Sequence, residues 1–230
     1  MSGKIYRKYP EFPHHPGKSR LPIWLVSLTT HTIFRLLFRV RVAGLERVPK
    51  SGSVLVLAKH QRLMDIPLGL THVILATRKD VWCVMKDTLG GVGGFLLKCG
   101  GIPLDRKNPE KSRASLVMAR GLLHGGQLMC LFPEQTYYPG KMGRGKLPGF
   151  RFICGKPEQP IAVVPLGFEY RRRRFRRTEL LLRVGEAVQF TAESDPAQFL
   201  YDRMQEIGEL SGGLAYPFER PQPGGRESAD

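Results

Sequence analysis

The stretch SVLVLAKHQRLMDIPLG, residues 53–69, decides the fold. Residues 53–58 form an unbroken run without a charge, the pattern of a strand buried on both faces. The run breaks at Lys59-His60. Asp65 then stands where a helix begins, with Pro67 in its first turn, where a missing amide hydrogen does no harm. A buried strand, a short polar turn and a helix are the start of an alternating β/α chain.

The same alternation continues outward. FRVRVA (38–43) precedes the stretch as a strand, and VWCVMK (81–86), 101–104, QLMCLF (127–132), IAVVPLGF (161–168) and ELLLRVGEAV (179–188) follow it. Helices are predicted over 66–76, briefly within 89–101, from Pro109 to the Gly125-Gly126 stop, and over 196–210. Residues 133–149, rich in Gly, Pro and Lys, read as a long loop. The fold class is α/β: a single domain with a central mixed, largely parallel sheet flanked by helices, preceded by an N-terminal amphipathic or apolar helix. The expected organisation is an irregular basic arm (1–20), that helix (21–37), the domain (38–212) and a disordered tail (213–230). In such sheets sites collect beyond the carboxyl ends of strands, and His60, Asp105 and Glu134 all lie there.

A formal net charge of +16 points to an anionic partner: a membrane surface, nucleic acid or an acidic substrate. Cys83, Cys99, Cys130 and Cys154 are too widely spaced for a zinc or disulfide framework and read as reduced thiols of a cytosolic compartment. LPIWLVSLTTHTIFRLLF (21–38) is interrupted by His31 and Arg35, short of the roughly 20 uninterrupted apolar residues a span needs. With Lys4, Arg7, Lys8, Lys18 and Arg20 upstream, it suits a helix lying in a membrane interface or one packed on the core.

A histidine accepts a proton best when a carboxylate fixes its tautomer and stabilises the imidazolium. His60 and Asp65 can do this across the strand-to-helix turn. Alone, His-x4-Asp is short enough to arise by chance, with Asp65 as a helix cap and His60 as a loop residue. Further blocks follow it in order: GGIPLDR (100–106), LFPEQT (131–136) and AVVPLGF (162–168), with GLERVP (44–49) ahead. Together they resemble the glycerolipid acyltransferase family, which includes 1-acylglycerol-3-phosphate acyltransferases, over roughly residues 38–190.

That resemblance implies acyl transfer from acyl-CoA or acyl carrier protein, as co-substrate, to a hydroxyl of a lysophospholipid, with no cofactor and no metal. His60 would be the general base and Asp65 its orienter. Arg106 would bind the acceptor phosphate, its planar fork matching phosphate oxygens. Glu134 and Thr136 would help place the acceptor. The family pattern has Asn before the histidine, where Lys59 stands here, and Phe-Pro-Glu-Gly-Thr-Arg, where this chain has Gln135 and Tyr137. With that arginine replaced, Lys59, Lys141, Arg144 or Lys146 could compensate. Otherwise the acceptor is a different lipid hydroxyl, as in a lyso-aminolipid or glycolipid.

GKMGRGK (140–146) matches a phosphate loop only superficially, because Leu147 follows where magnesium binding needs Ser or Thr. RRRRFRR (171–177) is either a solvated connection or a contact with anionic headgroups, where each basic residue adds about 1 kcal/mol. No nucleic-acid fold motif accompanies it, so no nucleic-acid partner is expected. The expected setting is peripheral or monotopic, on the cytoplasmic face of the cell membrane, bound to anionic lipids. The rival reading is a non-enzymatic basic protein that binds membranes or nucleic acid.

Overall fold

The computed structural model describes residues 15–91, 94–105, 108–172, 174 and 176–222. Among them the strands are β1 (Phe38–Ala43), β2 (Val54–Ala58), β3 (Val81–Lys86), β4 (Gly101–Leu104), β5 (Leu128–Leu131), β6 (Ile161–Arg171), β7 (Thr178–Val184) and β8 (Val188–Phe190). The α-helices are α1 (Arg20–Leu37), α2 (Asp65–Gly69), α3 (Leu75–Thr77), α4 (Phe95–Lys98), α5 (Pro109–His124), α6 (Leu147–Cys154) and α7 (Pro196–Leu210). A π-helical turn, Leu70–Ile74, joins α2 to α3.

The strands form one sheet in the order β1-β7-β6-β2-β5-β3-β4, with β8 also on β6. All pairings are parallel except those of β6 with β7 and β8. The chain is thus the mixed, largely parallel α/β domain expected, with a helix ahead of it. Alternation along the strands divides the core in two. Leu55, Leu57, Met129, Leu131 and Val163 pack with α5, α6 and α7 on one face. Val54, Val56, Ala58, Val164, Leu166 and Phe168 pack with Leu68, Val73 and Ile74 on the other. β2 lies between both layers, which is why its sequence is apolar at every position.

Two elements differ from the sequence reading. The last three residues of the expected loop open α6, whose Leu147, Phe150, Ile153 and Cys154 are buried at helical spacing behind Pro148 in the first turn. The expected strand 179–188 is broken after Val184. Gly185 donates to the Pro165 carbonyl (2.9 Å), but Pro165 has no amide hydrogen to return. The ladder slips there by one residue: Val188 faces Val163, where unbroken register would place Ala187. The proline inside β6 therefore leaves the β2 ladder intact and terminates only β7.

The chain ends are pinned where they are described. Lys18 donates to the Val81 carbonyl (3.1 Å) and lies over the Trp82 ring. Residues 213–222, read as the start of a disordered tail, have no helix or strand, yet the Tyr216 ring stands edge-on to Tyr201 and its hydroxyl accepts from the Gly145 amide (3.2 Å). No helix among the described residues is long and apolar enough to cross a membrane.

At Gly167 the end of α7 lies tight against β6, since a Cβ there would lie 2.6 Å from both the Cβ and the carbonyl oxygen of Leu210. Gly167→Ala should lower unfolding stability by about 1–3 kcal/mol in urea titration. Gly149→Ala, in α6 with nothing within 4 Å, should be neutral or stabilising by up to about 1 kcal/mol.

Candidate active site

The β2 ladder runs one residue past Ala58, where the Lys59 amide donates to the Leu166 carbonyl (3.0 Å). The Lys59 side chain is wholly buried, its Nζ 2.8 and 2.9 Å from the two Glu134 carboxylate oxygens. The same ammonium reaches the carbonyls of Tyr138 (3.0 Å) and His60 (3.2 Å). Glu134, one turn past β5, also accepts from the amides of His60 (3.0 Å) and Gly143 (2.6 Å). Tyr138 donates back to the His60 carbonyl (2.9 Å), and Gly140 donates to Gln61 Oε1 (3.1 Å). These bonds latch the loop after β5 onto the segment after β2. Burial pulls the Lys59 pKa below its ordinary value, opposed first by Glu134 and then by Asp65.

The sequence reading placed Lys59 and Glu134 at the substrate, and this needs correcting. Four acceptors already surround the three hydrogens of the ammonium, and each Glu134 oxygen takes two donors. Neither side chain has capacity left for a ligand; both hold the loop.

His60 Nδ1 lies 3.3 Å from Asp65 Oδ2. That oxygen also accepts from the amides of Gln61 (2.5 Å) and Arg62 (2.6 Å), while Oδ1 accepts from the Tyr170 hydroxyl (2.6 Å). Asp65 is wholly buried and opens α2, so the turn between β2 and α2 folds around its carboxylate. A carboxylate only accepts, so the proton of a neutral His60 ring belongs on Nδ1 and Nε2 is left as a base. Among the described residues Nε2 makes no hydrogen bond. The ring is held between Phe132 and Tyr137, each 4.3 Å away between centroids. The arrangement is able to take a proton from a hydroxyl and shield the charge that results.

Tyr170, at the end of β6, was not singled out by the sequence. Burial, then the charge of Asp65, pushes its phenol well above the usual tyrosine range, so it stays a donor. Arg62 lies over its ring, 4.6 Å from the centroid. The one available signal was a tyrosine two residues past the apolar run 161–168, a residue whose polar tip wants a partner.

Gln135 occupies the left-handed region (φ 60°), the sole non-glycine with positive φ among the described residues. The turn keeps the conformation of the glycine that the resembled family pattern has there. Tyr137, at the pattern's arginine, is 43% exposed and closes over His60. Thr136 and Lys146 are both exposed, on the loop beside the site. Asp105 instead caps a turn, its carboxylate accepting from the Asn108 amide (3.1 Å). Arg106 lies outside the described residues. So do Arg173 and Phe175 of the basic run.

A family model described as acyltransferase matches residues 39–168, more than half of the sequence, and the chain belongs to the acyltransferase family. The crystal structure of the 1-acyl-sn-glycerophosphate (LPA) acyltransferase PlsC from Thermotoga maritima has a similar fold. It aligns with a TM-score of 0.58 and 24% identity, covering 82% of this chain and 79% of that one. Comparison with curated proteins gave no match.

Lys59→Met removes one half of a buried pair and should cost about 3–5 kcal/mol in urea unfolding. At the left-handed turn, Gln135→Gly should leave the midpoint unchanged or raise it. Gln135→Val, β-branched, should lower stability by roughly 1–2 kcal/mol in the same titration.

Proposed function

We propose that this member of the acyltransferase family moves a fatty acyl group from acyl-CoA or acyl carrier protein to a hydroxyl of a lysophospholipid of the 1-acylglycerol-3-phosphate type. The observation that carries this reading is the His60–Asp65 pair, at the carboxyl edge of β2, with the ring nitrogen opposite Asp65 uncommitted. In the proposed reaction Nε2 takes the proton of the acceptor hydroxyl as its oxygen attacks the thioester carbonyl. Asp65 stabilises the imidazolium. The tetrahedral intermediate collapses, the C–S bond breaks, and the thiolate takes the proton from His60. The products are an ester and a free thiol, and the ring is returned to its starting state. Tyr170 and the amides of Gln61 and Arg62 are positioning groups that keep Asp65 in line with the ring.

Arg106 remains the proposed phosphate ligand, with Thr136 and Lys146 at the rim. The exposed Leu21, Trp24, Leu28, Ile33, Leu36 and Leu37 of α1 support a seat in a membrane interface, proposed on the cytoplasmic face. Tyr137 favours a second acceptor class. An uncharged ring faces His60 where the family pattern has an arginine, which suits a lipid hydroxyl without a phosphomonoester, such as a lyso-aminolipid or glycolipid.

Thiol release from acyl-CoA and acyl carrier protein, measured against a panel of lyso-lipids, tests both. Turnover should fall about 10²–10⁴-fold in His60→Ala. Arg106→Ala should suppress only phosphate-bearing acceptors; an equal loss on all acceptors would move the phosphate site elsewhere. No acceptor exceeding the His60→Ala background would end the enzyme reading. Tyr170→Phe should lower kcat several-fold with KM unchanged and shift the pH profile of kcat, and Tyr170→Phe indistinguishable from wild type would remove its positioning role.

A further inference from the structure

A cavity of about 400 Å³ lies between the last turns of α1, the start of β1, the π-helical turn and the end of the β6–β7 connection. Five of its lining residues are basic, His31, Arg35, Arg39, His72 and Arg177, and none is acidic. The nearby acid on β7, Glu179, is paired with Arg41 (3.0 Å). Arg177 donates to the Arg35 carbonyl (2.8 Å), fastening the basic connection to the C-terminal turn of α1. That bond also offsets the negative end of the helix, which would otherwise repel an anion. The rings of His31 and His72 stack at 4.9 Å, and each Nδ1 bonds a carbonyl of its own helix, Ser27 and Leu68. With its Nδ1 committed to a carbonyl, each neutral ring has a bare Nε2 that only accepts, so the donors the cavity offers an anion are the guanidinium groups of Arg35, Arg39 and Arg177.

The surroundings identify the anion's source. Ile33, Leu36 and Leu37, on the turns of α1 that line the cavity, are 56%, 74% and 56% exposed. Guanidinium groups beside exposed aliphatic side chains match a phosphate at the boundary of a hydrocarbon layer. The cavity opens on the same edge of the sheet as His60, because β7 begins where β6 ends. It is not lined by His60 or Asp65. Phe38, in its wall, stands edge-on to Tyr170, which bonds Asp65.

We infer that this cavity binds the headgroup phosphate of an anionic phospholipid in the bilayer, seating α1 so that the site faces the lipid. The inference rests on the membrane-interface reading of α1, not on turnover. Vesicle co-sedimentation therefore tests it apart from acyl transfer.

Vesicles of phosphatidylcholine, with and without phosphatidylglycerol, are compared for two double variants that each remove two positive charges. Arg35→Gln/Arg177→Gln alters the cavity, and Arg172→Gln/Arg176→Gln alters the exposed connection beside it. The cavity pair should lose at least tenfold more affinity for phosphatidylglycerol vesicles than the connection pair. Arg39→Gln, on an exposed side chain, repeats the cavity test should the double variant fold poorly by circular dichroism. Equal losses in the two pairs would mean diffuse charge attraction and overturn the proposal, as would binding indifferent to phosphatidylglycerol. Free sn-glycerol 3-phosphate should not displace the vesicles at millimolar concentration. Stabilisation of the protein by that compound without vesicle binding would assign the cavity to a soluble phosphate and overturn the lipid assignment.

Discussion

The Lys59–Glu134 pair is the constraint on which the site depends. Removing two charges from water is costly, and a buried pair is tolerated only when every remaining lone pair and hydrogen is satisfied. Here the backbone does that: two carbonyls complete the ammonium, and two amides complete the carboxylate. All four come from the two segments that must meet, residues 60 and 138–143. The pair is therefore satisfied only when the loop after β5 lies across the end of β2. One of the amides is that of His60 itself, so the latch fixes the backbone from which the imidazole projects.

Asp65 applies the same logic at smaller scale. A carboxylate sealed from water collects two amides of its own turn, a ring nitrogen and a phenol from a distant strand. The amides define the turn, the phenol defines the carboxylate plane, and the ring is left one orientation in which Nδ1 meets an acceptor. Phe132 and Tyr137 pack against the imidazole and limit its rotation. Two buried carboxylates thus divide the task. Glu134 places the backbone of His60 and Asp65 places its ring.

Much of this was legible in the chain. The apolar run of β2 announced a strand between two layers, Pro109 marked the helix start that α5 adopts, and the helix expected over 196–210 is α7. His60 and Asp65 stood out because the turn joining them is local. The partners of Lys59 and Asp65 did not, because they lie 75 and 105 positions away and no local period encodes a contact closed by the sheet. Lys59 therefore read as a cation for the acceptor, although it is one of the most buried side chains. α6 was hidden by its eight-residue length and the Gly- and Lys-rich chain before it. The break after β7 was visible only as Pro165, whose missing amide hydrogen acts on the neighbouring strand.

The departures from the family pattern now differ in kind. Gln135 keeps a glycine-like backbone conformation, so it changes the turn's strain and not its path. Tyr137 changes the surface beside the imidazole, since its ring lies against that of His60. The most direct test of the account is the tautomer of His60, read by ¹⁵N NMR of the imidazole nitrogens and assigned by the His60→Gln spectrum. With the carboxylate of Asp65 as acceptor, the neutral ring should carry its proton on Nδ1 and leave Nε2 bare. A proton on Nε2 would contradict the account, because the ring would then have no free base to offer an acceptor hydroxyl.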